Sequence, residues 1–247
     1  IYIMSSFYTN VHLHRNDIYL RGYENGQRIQ QVIPYKPYLF VHSKGVTATN
    51  YRNLKGAPVD KIEFDSISEA RDFMRSYGDV EGFTCYGTTN FVGPFINDYY
   101  PGSIDYDPKL ISIVNIDIEV AADQGFPDIA TANKPITAIT MKKNDMFVVL
   151  GCGEFVTEDP KVKYIHCKDE NDLLLKFLDI WRSKWFSPDV VTGWNVEFFD
   201  IPYIVNRIKR LFGEATAKKI SPWEFLLERE VAVGTREAQK TYIPAGI

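Results

Sequence analysis

Apolar and polar positions recur along the 247-residue chain in short alternating runs and in two or three clear helical periods. In the first hundred residues, two strand-like runs at 17–23 and 28–33 flank Asn25-Gly26, a dipeptide that tolerates positive φ and so predicts a tight hairpin. Residues 37–41 form a third short strand candidate. Ser66-Ile67-Ser68-Glu69 fits a capping box, after which Ala70, Phe73, Met74 and Tyr77 return at helical spacing and Gly78 offers a stop. The stretch 87–107, rich in Gly, Pro, Asn and Tyr, reads as a connector. These elements predict a small α+β unit over residues 1–110.

A second unit opens with residues 110–120, apolar enough for a buried strand. Residues 136–142 and 146–150 predict a hairpin around Asn144-Asp145, and 161–166 a further short strand. Leu173, Leu174, Phe177, Leu178 and Trp181 mark one face of a helix, and 190–194 reads as a buried strand. Ile201, Ile204, Val205 and Ile208 mark another helix over 200–212, closed by Gly213. A late hairpin is expected from 228–233 and 238–243. A three-stranded meander followed by strand–helix alternation predicts an α/β unit, with a mixed sheet flanked by helices, over 111–247.

Composition adds little. With 45% apolar and 14% aromatic residues the chain can pack a core, and no apolar run reaches membrane-spanning length, so no membrane partner is expected. The three cysteines, Cys85, Cys152 and Cys167, are widely spaced, which suits a reduced protein better than a disulfide scaffold or zinc site. A net charge of −4 argues against nonspecific coating of nucleic acid, but not against local binding.

The chemistry lies in two segments, Asn115-Ile116-Asp117-Ile118-Glu119-Val120 and Thr192-Gly193-Trp194-Asn195-Val196-Glu197-Phe198-Phe199-Asp200. Side chains two apart on a strand share a face, so Asp117 and Glu119 project together, with their Cα atoms roughly 7 Å apart. Asp200, at a strand-to-helix handover, brings a third carboxylate from another element. Such acids suit hard divalent cations and two-metal phosphoryl chemistry. The alternatives stay open at this point: Asp117 and Glu119 as a solvated pair, Asp200 as a helix cap, and Asn195 as a turn residue. Trp194 and Phe198 read as core.

The two segments resemble the first two motifs of the 3′→5′ proofreading exonuclease of family-B DNA polymerases, as found in T-even-type phages. Tyr35-Lys36-Pro37-Tyr38-Leu39-Phe40, Gly125-Phe126-Pro127, Pro135-Ile136-Thr137-Ala138-Ile139-Thr140 and the run 192–219 share in the likeness. The resemblance implies an RNase H-like fold for 111–247, behind a polymerase N-terminal domain. It implies that Asp117, Glu119 and Asp200 hold Mg²⁺ or Mn²⁺, that Asn195 lies near the substrate, and that Phe126 stacks on a frayed primer end. Gly234, Thr235 and Arg236 resemble the tip of the hairpin that separates primer from template. Implied partners are single-stranded and primer-template DNA, RNA through the N-terminal domain and, in the parent polymerase, a sliding clamp, all in the cytoplasm of an infected bacterial host. Tyr242 is followed by Ile243-Pro244-Ala245-Gly246, without the acid that a third motif needs. The expectation is therefore a fragment truncated within its exonuclease domain, with an incomplete metal site and little activity of its own. Two other readings are a non-catalytic nucleic-acid-binding module and a free-standing exonuclease.

Overall fold

The computed structural model describes residues 6–43, 49–123, 125–232 and 238–247. The chain divides into two compact units, Ile1–Tyr106 and Asp107–Ile247. In the first, strands β1 (Ser6–His14), β2 (Asp17–Glu24) and β3 (Gln27–Pro34) form an antiparallel meander. Asn25 and Gly26 turn the β2–β3 corner with φ of 52° and 77°, the left-handed pair that suits this dipeptide. A second sheet contains β4 (Tyr38–His42), β5 (Tyr51–Arg52), β6 (Pro58–Glu63) and β7 (Cys85–Tyr86), in the order β5-β6-β4-β7.

Helix α1 (Ile67–Tyr77) starts where Ser66 accepts the Glu69 N–H at 3.2 Å, while the Glu69 carboxylate reaches back to the Asp65 N–H at 2.9 Å. The expected connector at 87–107 instead contains helix α2 (Val92–Tyr99). Its Gly and Pro sit in the first turn, where Pro forfeits no internal hydrogen bond. Burial of Phe91 and Phe95 then outweighs the poor local propensity.

The second unit carries a five-stranded sheet. Strands β8 (Ile113–Val120), β9 (Ile136–Lys143) and β10 (Met146–Gly151) form the antiparallel meander, with Asn144 at φ 54° in the β9–β10 turn. Strand β11 (Val162–His166) adds parallel to β10. Helix α3 (Glu170–Arg182) follows, capped by Asp169, and leads to β12 (Val190–Thr192), which pairs parallel with β8. The order is β11-β10-β9-β8-β12, the mixed sheet expected of an RNase H-like unit. Helix α4 (Asp200–Phe212), the short α5 (Glu214–Ala217) and the hairpin β13 (Leu226–Val231)–β14 (Gln239–Pro244) complete it.

Strand β8 is buried on one face only. Val114, Ile116 and Ile118 join a core with Met141, Phe177, Trp181, Ile204 and Ile208, while Asn115, Asp117 and Glu119 stand exposed on the other face. That polarity puts two carboxylates on the open side of the sheet. The 190–194 segment departs from its expected burial. Pairing stops at Thr192, Val190 is 43% exposed and Trp194 is 92% exposed.

Candidate active site

Strand β12 is short, so it pairs with β8 only as far as Asn115 and leaves the rest of that edge open. Asp200 fills the gap: its Oδ1 accepts the backbone N–H of Ile118 at 3.1 Å, between Asp117 and Glu119 in the strand. This also decides the capping question. The position before α4 belongs to Phe199, which makes no side-chain cap bond, and the Asp200 carboxylate turns to β8 instead.

Asp200 is 2% exposed, and burial pushes its carboxyl up to about 6 from the ordinary carboxylate value. The Ile118 N–H bond pulls it back down, and the negative charge of Asp117 pushes it up again. A buried carboxylate facing a second carboxylate is a local charge deficit that a divalent cation would relieve, and oxygen donors of this kind are what such cations take. The donor chemistry of Asp117 and Asp200 therefore fits a divalent metal. Glu119 shares the exposed face of β8 with Asp117. Among the described residues, no three His, Cys, Asp or Glu side chains are gathered closely enough to form a ready-made cage.

The turn from β12 into α4 is fixed from several directions. Gly193 sits so close to β8 that a Cβ there would lie 2.5 Å from the Ile116 carbonyl oxygen. Gly193→Ala is accordingly expected to lower the unfolding free energy by about 1–3 kcal/mol, measured by urea denaturation. Asn195 adopts a left-handed φ of 56°, and its carbonyl accepts the N–H of Phe198 at 3.0 Å and of Phe199 at 2.9 Å. It thus makes the turn, and the residue stays exposed. From β14, Thr241 Oγ1 donates to the Glu197 carbonyl and Gln239 Nε2 to the Phe198 carbonyl, each at 2.5 Å. Trp194, read as core, is displayed outward by this geometry; Phe198 is half-buried.

Phe126 is 84% exposed, with its ring 5.7 Å from that of Phe199, which stacks on Tyr203 at 5.8 Å. Helix α4 holds the 125–135 segment that carries Phe126. Tyr203 Oη donates to the Lys134 carbonyl at 2.8 Å, Asn206 Nδ2 to Ile129 at 2.9 Å and Arg207 Nη1 to Ala132 at 2.9 Å. Arg207 also forms a two-pronged pair with Glu170 of α3, at 2.8 and 2.6 Å. These supporting residues escaped sequence reasoning, because a polar residue on an amphipathic helix reads as solvated. A cleft of about 710 Å³ runs from Phe126 past Ile129 and Asn206 to Gln239, Lys240 and Tyr242. The hairpin tip residues Gly234, Thr235 and Arg236 lie outside the described residues.

The sequence that builds this sheet matches a known family. The family model for DNA polymerase family B, exonuclease domain, covers residues 83–247, and the chain belongs to that family. Among curated proteins, it is 33% identical to the DNA-directed DNA polymerase of Escherichia phage RB69 and 32% identical to that of Enterobacteria phage T4. Each alignment covers 89% of this chain and 27% of the relative. The DNA polymerase delta catalytic subunit of Dictyostelium discoideum is 30% identical over 58% of the chain and 14% of that protein. The chain thus spans about a quarter of the length of the phage relatives it matches. No helix among the described residues is long and apolar enough to cross a membrane.

Proposed function

We propose that the second unit binds the 3′ end of single-stranded DNA and hydrolyses its terminal phosphodiester, as the proofreading part of a family-B polymerase. The observation that carries this reading is the Asp200 carboxylate, buried against the Ile118 N–H with the charge of Asp117 beside it. Asp117, Glu119 and Asp200 are the residues that would hold Mg²⁺ or Mn²⁺. Such ions, when bound, supply Lewis acidity and stabilise the attacking and leaving oxygens. The chain's own residues bind and orient. Phe126 offers a ring face to the terminal base, and Asn195 an amide beside it. The cleft of about 710 Å³ beyond Phe126 is the place this reading gives to the unpaired strand.

Aromatic side chains in the first unit favour a second, non-catalytic contact with nucleic acid. Phe40 and Tyr51 lie 5.1 Å apart beside Arg52, and the Lys61 ammonium stands 4.2 Å from the Tyr38 ring centre. RNA or template strands suit that face, and a sliding clamp belongs to the parent polymerase.

The test is Mn²⁺ binding, followed by the paramagnetic signal of free ion, with release of deoxynucleoside monophosphate from a 5′-labelled strand. Asp117→Ala and Asp200→Ala are each expected to weaken Mn²⁺ binding at least about tenfold and to abolish the slow release. Mn²⁺ affinity indifferent to both substitutions would overturn the reading.

A further inference from the structure

Two of the three cysteines meet in the second unit although the whole β10–β11 connection separates them. Strands β10 and β11 run parallel, with Leu150 opposite Ile165 and Gly151 opposite His166. The pairing carries on one step further. The Cys167 N–H donates to the Gly151 carbonyl at 2.9 Å, which sets Cys152 and Cys167 side by side at the end of the ladder. Neighbouring strands lie about 4.7–4.9 Å apart, inside the Cα separation of about 4.4–6.8 Å that a disulfide spans. Alternation along the strands returns both positions to the side of Leu150 and Ile165, where the core lies.

The two thiols differ in access. Cys152 is exposed, whereas Cys167 is 0% exposed, its thiol 3.5 Å from the Ile165 carbonyl oxygen. Burial pushes the Cys167 thiol up, Lys176 pulls it down, and Asp172 and Cys152 push it up again. Burial raises Cys152 as well, and Asp169, Glu170 and Asp172 add to the rise. Both thiols are thereby kept protonated and slow to react near neutral pH, as a resting dithiol must be. A metal suits the place less well. Structural zinc takes four ligands, and among the described residues no three His, Cys, Asp or Glu side chains gather as a set. A bond between the two sulfurs needs no third donor.

We infer that Cys152 and Cys167 form a modification site, a dithiol that a small disulfide of the glutathione class oxidises to an intrachain disulfide. The exposed Cys152 thiolate attacks one sulfur of the oxidant, forming a mixed disulfide and releasing one thiolate, which takes up a proton. Cys167 then loses its proton and attacks the Cys152 sulfur, expelling the second small thiol. The protein gives up two electrons and two protons, and the oxidant becomes two thiols. The new bond fastens the end of β10 to the segment before Asp169, the cap of α3, and so to Glu170, the partner of Arg207. Nothing in this depends on the function proposed above.

The experiment treats the full chain with oxidised glutathione, alkylates the remaining thiols with N-ethylmaleimide in denaturant, and reads intact mass and linked peptides. The parent chain is expected to lose two of its three alkylation sites without gaining glutathione, and dithiothreitol should restore them. The linked form should exceed the mixed disulfide at least about tenfold, because the ladder holds the second thiol at high effective concentration. Cys85→Ser should oxidise like the parent chain. Cys167→Ala should stop with glutathione on Cys152. Cys152→Ser, a change at an exposed position, should leave Cys167 unmodified and open to alkylation only after unfolding, which keeps the test decisive even where Cys167→Ala folds poorly. A folded parent chain that stops at the mixed disulfide, or forms the bond only in urea, overturns the inference. A link that involves Cys85 overturns it as well.

Discussion

Arg207→Ala is expected to cost the second unit about 3–5 kcal/mol, the largest loss of any single polar substitution in it. Arg207 is 7% exposed, and its guanidinium makes three contacts: two with Glu170 and one with the Ala132 carbonyl. Glu170 Oε1 also accepts the Ile136 N–H at 2.7 Å, so the pair joins α3, α4, the start of β9 and the loop bearing Phe126. Truncating Arg207 leaves a carboxylate in a poorly solvated place with one remaining donor. The loss comes from that stranded charge more than from any net attraction, because burying both ions was itself costly. A double replacement, Arg207→Met with Glu170→Leu, is therefore expected to recover most of the stability while leaving the Ala132 carbonyl and Ile136 N–H without partners. Hydrogen exchange along α4 would report the second unit by itself. Protection lost in Arg207→Ala and largely regained in the double variant is the expected pattern; equal protection in all three proteins would contradict it. Exchange at 128–136 should rise in both variants, because the loop loses its anchor either way.

Local regularities made part of this architecture legible. The Asn25-Gly26 hairpin, the capping box at Ser66 and the apolar face of α4 are each decided by neighbours a few residues away. Asp117 and Glu119 share an exposed face because strand geometry alone puts them there. What escaped depends on contacts far along the chain. Arg207 carries no local signal, because its partner Glu170 lies 37 residues earlier. Asp200 could be read as a cap or a ligand, and an N–H 82 residues earlier decided where its carboxylate points. Trp194 reads as core from the sequence, yet it is 92% exposed. The close approach of Gly193 to β8 and the left-handed Asn195 set its direction instead. Helix α2 was hidden by its Gly and Pro, since burial of Phe91 and Phe95 is invisible to local propensity.

Asp200→Asn, made in the absence of divalent metal, is expected to stabilise the chain at neutral pH and to leave it unchanged in acid. The sign follows from proton counting. With a folded value of about 6 against 3.8 for the free group, the native state binds more protons than the unfolded state between those values. Stability linked to Asp200 is then present below pH 3.8 and lost as pH rises through about 6. A difference of about two units corresponds to at most about 3 kcal/mol, and water around the exposed Asp117 screens part of this, leaving about 2 kcal/mol. Asparagine keeps an acceptor for the Ile118 N–H and carries no charge, so it removes the penalty without removing the bond. Urea denaturation in chelator should give Asp200→Asn an advantage of about 2 kcal/mol at pH 7.5, shrinking toward zero near pH 4. An advantage independent of pH would mean that packing, not charge, is responsible. Adding Mn²⁺ at pH 7.5 should then stabilise the parent chain more than the variant, because a cation bound to the native state offsets the repulsion that asparagine no longer has. The stability sacrificed at Asp200 is thereby tied to the same charge that would hold the metal.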